Sequence, residues 1–548
     1  MRLVEVRDLD GPNLFLMEPA IKLELERPPG ATLSDAQRTR IAGRLGVDGI
    51  PALVDNALPL IVDALREELW PYHGLGPAVV RQLDDPEHVV IAFPWLWRSS
   101  SVSLAEAAVD ALLLDDPIDP MPDLRELFGH DRARDDMPEW LRAADARIPI
   151  VGITGTNGKT TTTRLLSHIA RTSGKHVGWT STAGVFIDGD LVLEGDYTGP
   201  SGARRVLQDD KVELAVLETA RGGILLRGMA YECNDVSIFV NVSPDHLDMH
   251  GVQTVETLAE VKSLVVRVTR PGGTAVLNAD DPLVMRWADT VAAEVLLFST
   301  RASSPIIDAH REQGGRAVIV RDGSLWQCEG DACSEIAALT AVPMTWGGRA
   351  AHNVENAAAA SGAAWALGFG ISAIHDGLAT FRSDSASNRG RLNVYRRGDQ
   401  YTVIDYAHNE SGLLALLHFG RGLLSKAGVL GAVIGTAGDR QDTTMRNLGR
   451  IAAEHADRIY IKDNPRYLRG RPEGEATNLM LEGAQSVATG HPIFGPLPGE
   501  LAAFDRALDD LGQQDVIVVM CLEEQTDIVE RLRTTGWEEW TGAAADEH

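Results

Sequence analysis

The chain has 548 residues, 44% of them hydrophobic, with no unbroken apolar run near the roughly 18 residues that a membrane helix needs, so a soluble globular protein of about three domains and no membrane partner is expected. An excess of 78 Asp and Glu over 51 Lys and Arg leaves a net charge of −27, which disfavours DNA or RNA as partner because their phosphates call for a basic surface. The opening M-R-L-V-E-V-R-D has acids where an export signal needs an apolar core, and Cys233, Cys328, Cys333 and Cys521 form neither a disulfide framework nor a zinc spacing; a cytoplasmic location and reduced thiols are expected.

In chain order, residues 1–114 read as a small α+β domain. Alternating Leu3, Val4, Val6 and Leu9, the turn D-G-P-N at 10–13 and the run 21–26 predict two strands. Helical spacing over 51–69, a strand over 88–95 and a capped helix over 103–114 follow. His73, Trp95 and Trp97 read as pocket walls or, the commoner case for aromatic clusters, as core. The Pro- and Asp-rich segment 115–147 reads as a linker.

The stretch P-I-V-G-I-T-G-T-N-G-K-T-T-T-T at 149–163 predicts a strand, a phosphate loop and a helix. Gly155, Thr156, Asn157 and Gly158 would turn backbone N–H groups around phosphate oxygens, with Lys159 on the terminal phosphates, Thr160 on magnesium and Thr161 in the first helical turn. The ligand this implies is a nucleoside triphosphate. The spacing departs from the commonest signature, since Ile153 stands where the first glycine belongs and Gly152 comes one residue earlier. Further on, an apolar strand ends in Glu218, read either as a metal ligand at a strand's carboxyl end or as a buried structural acid. A second strand runs into the polar turn of Asp245, His246, Asp248 and His250, readable as ligands or as a helix cap.

The motifs G-I-T-G-T-N-G-K-T (152–160), N-V-S-P-D-H-L-D (241–248), L-N-A-D-D-P (277–282) and H-N-V-E-N (352–356), with Glu218 and Lys262, together resemble the Mur ligase family. I-D-Y-A-H-N (404–409), G-T-A-G-D-R (435–440), L-R-G-R-P-E-G-E (468–475) and E-T-A-R-G-G-I-L (218–225) are similar to the Mur-like half of the cyanophycin synthetases, and L-D-G-P-N (9–13) resembles their N-terminal domain. The resemblance implies an α/β chain of three domains. These are an N-terminal α+β domain (1–114), a linker (115–147), a central P-loop ATP-binding domain (148–387) and a Rossmann-like domain of glutamate-ligase type (388–548). Strand and helix patterns alternating from about residue 389 suit the last of these. The ATP-grasp domain of the cyanophycin synthetases has no counterpart in the short linker, so one ligase centre is expected instead of two.

For chemistry, the resemblance implies an ATP-dependent ligase that joins a small-molecule or peptide carboxylate to an amine through an acyl phosphate. Carried onto this sequence, Lys159 steadies the phosphates, Thr160 and Glu218 hold one magnesium ion, and His246 with a carbamylated Lys262 holds a second. By spacing alone Lys262 is an ordinary lysine on a helix. Asn353 and Asn356 match the family's H-N-x-x-N, whose first asparagine meets the adenine, while Asp405 would meet the ribose and Arg391 the phosphates; each also reads as a cap or loop residue. His408, Asp439, Arg440, Arg469 and Arg471 are candidates for substrate binding. As partners, a homo-oligomer and a separate ATP-grasp enzyme stay open, and the alternative reading is a catalytically reduced nucleotide-binding subunit of such an enzyme.

Overall fold

The edge strand Arg2–Leu9 alternates in burial at its start and the inner strand Ala20–Glu26 is buried nearly throughout; with His88–Pro94 and Val79–Gln82 they form the first layer, an antiparallel sheet. The computed structural model describes residues 1–71, 74–114, 117–134, 136–245, 247–425, 427–487 and 490–541; His73 and His246 lie outside them. Helices Val54–Leu69 and Arg98–Leu113 cover one face of this sheet, the second starting five residues before the expected Ser103. Trp95 and Trp97 are core at 2% and 9% exposure. The segment read as a linker is not bare chain: it carries the helix Met121–Arg134, whose Leu124 is buried and whose Phe128 meets Trp97 edge-on. Its Pro and Asp sit at the helix start, where they favour initiation.

The turn D-G-P-N docks this layer onto the next. Asn13 accepts from the N–H groups of Phe15 and Leu16 and donates to the carbonyls of Gly11 and Glu18. Asp10 N–H donates to the Arg227 carbonyl, Met229 N–H donates to the Pro12 carbonyl, and a β-carbon on Gly11 would lie 2.2 Å from the Met229 oxygen.

The central layer is an eleven-stranded sheet. Seven parallel strands lie in the spatial order Arg316–Arg321, Glu294–Ser299, Thr269–Asn278, Asn234–Phe239, Ile150–Thr154, Leu214–Glu218 and Val177–Ser181, with antiparallel pairs on both edges. Buried on both faces, these strands are nearly continuous in Val, Ile and Leu, as parallel strands must be. Helices Lys159–Thr172 and Ala351–Ala366 pack on one face and Val255–Arg267 on the other. The third layer is a seven-stranded sheet in which Ile493–Leu497, Arg458–Lys462, Leu430–Ile434, Val516–Met520 and Gln400–Asp405 are parallel. Among the described residues no helix is long and apolar enough to cross a membrane.

Two sequence readings change here. Cys328 and Cys333, expected as reduced thiols, face each other across the hairpin Ser324–Glu329/Ala332–Ala338 with Cα atoms 4.1 Å apart and are joined as a disulfide. Five residues of separation said nothing of that register. Gly152 belongs to the strand, not the loop. A β-carbon there would come within 2.9 Å of Val265, Asn234 and Tyr231 side-chain atoms, which explains the displaced glycine. Gly152→Ala is therefore expected to cost about 1–3 kcal/mol through overpacking, read as a lower midpoint of urea unfolding.

Candidate active site

The strand Ile150–Thr154 ends between two parallel neighbours, Asn234–Phe239 and Leu214–Glu218. Its outgoing helix crosses to one side and the chain returns on the other, so the loop 155–158 opens at the crevice where α/β sheets bind ligands. Gly158 has φ +85°, and a β-carbon on it would stand 2.1 Å from Asn356 Oδ1. Only glycine fits there.

Around this loop the fold withdraws Glu218 and Lys262 from water and half-buries Lys159. Glu218 is 2% exposed; its Oε2 accepts from Thr160 Oγ1 at 2.8 Å, while its Oε1 is buried without a hydrogen-bond partner. Lys159 Nζ donates to the carbonyls of Gly155 (2.9 Å) and Thr156 (2.8 Å). Lys262, 4% exposed, donates to the same Gly155 carbonyl at 2.7 Å. It is thus no surface lysine, although its spacing alone suggested one. Burial raises the Glu218 pKa and lowers that of Lys159, with their mutual attraction opposing both, and burial together with the Lys159 charge holds Lys262 well below the ordinary lysine range. The orphaned Glu218 oxygen beside the Thr160 hydroxyl is a hard-oxygen donor set that fits magnesium. Among the described residues no three His, Cys, Asp or Glu side chains converge as a metal site.

A cavity of about 270 Å³ lies between the central and last layers, lined by Gly158, Asn353, Asn356, Arg391, Asp405 and His408 among others. Asn353 donates to the Met344 carbonyl at 2.9 Å and Asn356 to Asn353 Oδ1 at 3.2 Å. Asp405 Oδ2 accepts from the Leu392 N–H at 2.8 Å, which holds the turn carrying Arg391. Arg391 stacks 4.7 Å over Tyr406 and donates to Thr182 at 3.4 Å.

Contacts across the crevice were not foreseen. Asn157 and Asn409 exchange amide hydrogen bonds of 3.2 and 3.1 Å, and Ser411 accepts from Asn157 at 2.8 Å and meets Ser243 at 3.0 Å. Asp245 faces His408 Nε2 at 3.7 Å and Arg440 Nη2 at 3.4 Å. Lys462 and Glu500, both fully buried, pair at 2.7 Å, and Glu500 accepts from the N–H groups of Leu522, Glu523 and Glu524, which fixes the loop facing the crevice. Strand ends at Asn241 and Lys462 were the available signal.

The arginine candidates separate. Arg440 is buried beside Asp439 and Asp245, whereas Arg471 is tied to the carbonyls of Gly438 and Arg440 and to Asp442 and Glu475. Arg469 is exposed over the Tyr467 ring.

Residues 153–364 match the Mur ligase middle domain and 390–521 the Mur ligase glutamate ligase domain. The chain is 41% identical over 374 residues to a cyanophycin synthetase of Synechocystis sp., covering 68% of this chain and 42% of that one. It is 29% identical over 395 residues to a UDP-N-acetylmuramoyl-L-alanyl-D-glutamate--2,6-diaminopimelate ligase of Geobacillus thermodenitrificans, covering 68% and 73%. The match thus spans less than half the length of the curated cyanophycin synthetases. Among solved structures, E. coli FolC in complex with DHPP and ADP aligns with a TM-score of 0.53 at 20% identity over 71% of this chain and 89% of that chain, a likeness of fold.

Two outcomes are expected. Gly158→Ala abolishes the thermal shift produced by a non-hydrolysable ATP analogue, while the folded far-UV spectrum is kept. Burial pushes the Glu355 carboxyl, which accepts from Asn241 at 2.7 Å, up to about 7. Because the folded state then holds a proton that the unfolded chain releases near 4.5, stability falls as pH rises from about 4.5 to 7 and levels off above. Glu355→Gln is expected to remove that slope in urea titrations at stepped pH.

Proposed function

The chain belongs to the Mur ligase family, and on that premise we propose that it is an ATP-dependent ligase joining a carboxylate to an amine through an acyl phosphate. The proposed division of labour follows domains at 1–114, 148–387 and 388–548. The observation that carries the reading is the convergence of Lys159, Thr160, Glu218 and Lys262 at one phosphate loop, beside a cavity walled by both catalytic layers.

A carboxylate oxygen attacks the γ-phosphorus of ATP and ADP departs; the amine then attacks the acyl carbon, loses a proton, and phosphate leaves. Both steps gather negative charge, so positioning and neutralisation supply the catalysis. Lys159 exchanges its two loop carbonyls for the β- and γ-phosphate oxygens, and Arg391 approaches them from the facing layer. Asn353 meets the base, with Asn356 hydrogen-bonded to its Oδ1, and the second Asp405 oxygen meets the ribose. Magnesium, held by Thr160 and Glu218 and by His246 with a carbamylated Lys262, would supply further neutralisation of the transferred phosphoryl group. A lysine amine must be neutral to add carbon dioxide, and the burial of Lys262 favours that form. The Asn157, Asn409 and Ser411 contacts close the crevice and keep water from the acyl phosphate. Asp245, His408 and Arg440 lie where an amine-bearing substrate would be gripped.

Purified protein given ATP, magnesium and a panel of amino acids and short acidic peptides is expected to release ADP only when an acid and an amine are both present, with the new amide seen by mass spectrometry. Lys159→Ala lowers that rate by about 100-fold or more. ATP turnover that never yields an amide across the panel defeats the proposal.

A further inference from the structure

The hairpin turn between Val79–Gln82 and His88–Pro94 reaches out of the first layer and lands on the start of the helix Val255–Arg267, which carries Lys262. Asp84 Oδ2 accepts from the backbone N–H groups of Gln253 at 2.7 Å and Thr254 at 3.2 Å, and its Oδ1 accepts from Thr257 Oγ1 at 2.7 Å. A carboxylate 170 residues earlier in the chain thus adds negative charge to the cap that Thr254 begins, beside the positive end of the helix dipole.

Arg81 forks onto Glu260, Nη1 to Oε1 and Nη2 to Oε2, both at 2.6 Å. A bidentate pair of this kind fixes direction as well as distance. Glu260 stands two residues before Lys262, about 200° around the axis, so the helix is gripped on its outer side where Lys262 reaches inward to the Gly155 carbonyl at 2.7 Å. Leu83, between Arg81 and Asp84 in the chain, fits against Gly251: a β-carbon there would lie 2.8 Å from Leu83 Cδ1, and the glycine has φ +77°. Asp248 and His250, just before it, also hold positive φ, at +64° and +56°; such backbone persists only where its surroundings hold it.

An exposed ion pair contributes little by itself; these contacts matter by where they fall. The far half of the same helix is fixed by the central layer, through Asn234 Nδ2 on the Val265 carbonyl at 2.9 Å and through the space at Gly152 that Val265 fills. The half that begins at Thr254 takes its support from the first layer. We propose that Arg81 and Asp84 are positioning residues for Lys262, and that the first layer is thereby a working part of the centre at the phosphate loop. They hold the helix at the depth from which the Lys262 amine meets the Gly155 carbonyl. What Lys262 then does in catalysis rests on the ligase reading; its placement by the first layer is a property of the fold and is tested without substrate.

Hydrogen exchange read by mass spectrometry on the full chain compares Asp84→Ala, Arg81→Glu, Arg81→Glu with Glu260→Arg, and Lys262→Met. Asp84→Ala and Arg81→Glu are expected to speed exchange in peptides covering residues 154–160 by about threefold or more, as Lys262→Met does, because the loop carbonyl loses its donor. Adding Arg81→Glu to Lys262→Met changes the loop no further, and exchanging the two charges restores its protection. In the amide-forming assay Asp84→Ala and Arg81→Glu lower kcat by about tenfold or more, and the charge exchange recovers most of the loss. Faster exchange confined to residues 248–260 with the loop unchanged, faster exchange throughout the central sheet, or no recovery on exchanging the charges overturns the proposal. Should unaltered protein make no amide, the ligase reading falls, while the exchange result still decides the placement of Lys262.

Discussion

Lys159 and Lys262 both donate to the carbonyl of Gly155, and Glu218 sits beside them with one oxygen satisfied by Thr160. A half-buried lysine and a buried one whose charged form burial disfavours share one neutral oxygen next to a half-satisfied carboxylate, an arrangement that water would solvate far better than protein does. The surrounding sheet and helices hold it because their apolar faces leave these side chains no other exit. Such a site gains most when charged ligands arrive. Triphosphate would draw Lys159 off the loop, and a divalent cation would use the idle Glu218 oxygen. The desolvation held at this loop thus favours binding of charged ligands, the same logic by which preorganised groups lower barriers.

Around that centre the charge is distributed by layer. The protein is acidic overall, yet the crevice carries arginines on both walls: Arg164 and Arg171 from the central layer, Arg389 and Arg391 from the last. Polar contacts such as Asn157 with Asn409 join the two layers across the crevice. The fully buried pair Lys462 and Glu500 serves a different purpose: it pins the loop 522–524 beside the crevice. Replacing either partner alone would leave an isolated buried charge.

The N-terminal layer also docks through one short motif. D-G-P-N reads as a turn between two strands, but its glycine is pressed against the Met229 carbonyl and its Asp10 accepts from Arg204 at 3.2 Å. The turn is a dock that orients a whole layer against the helix after Glu218. Local sequence contains the turn; the partner surface it fits lies more than 190 residues away in the chain.

The sequence by itself determined what depends on near neighbours. The strand, loop and helix around Gly155–Lys159, the Val- and Ile-rich strands ending at Glu218 and Asp405, and the repeated strand and helix alternation after residue 389 are all written in local pattern and glycine placement, which the backbone obeys within a few residues. Tertiary structure decided everything that needed two distant segments in one place. Lys262 left the surface because its helix packs under the phosphate loop. Cys328 met Cys333 because a hairpin register opposed them, and segment 115–147 gained a helix because an aromatic face was there to receive Phe128. The arginines of the larger crevice, scattered between residues 164 and 391, show no pattern along the chain; only folding gathers them on one wall.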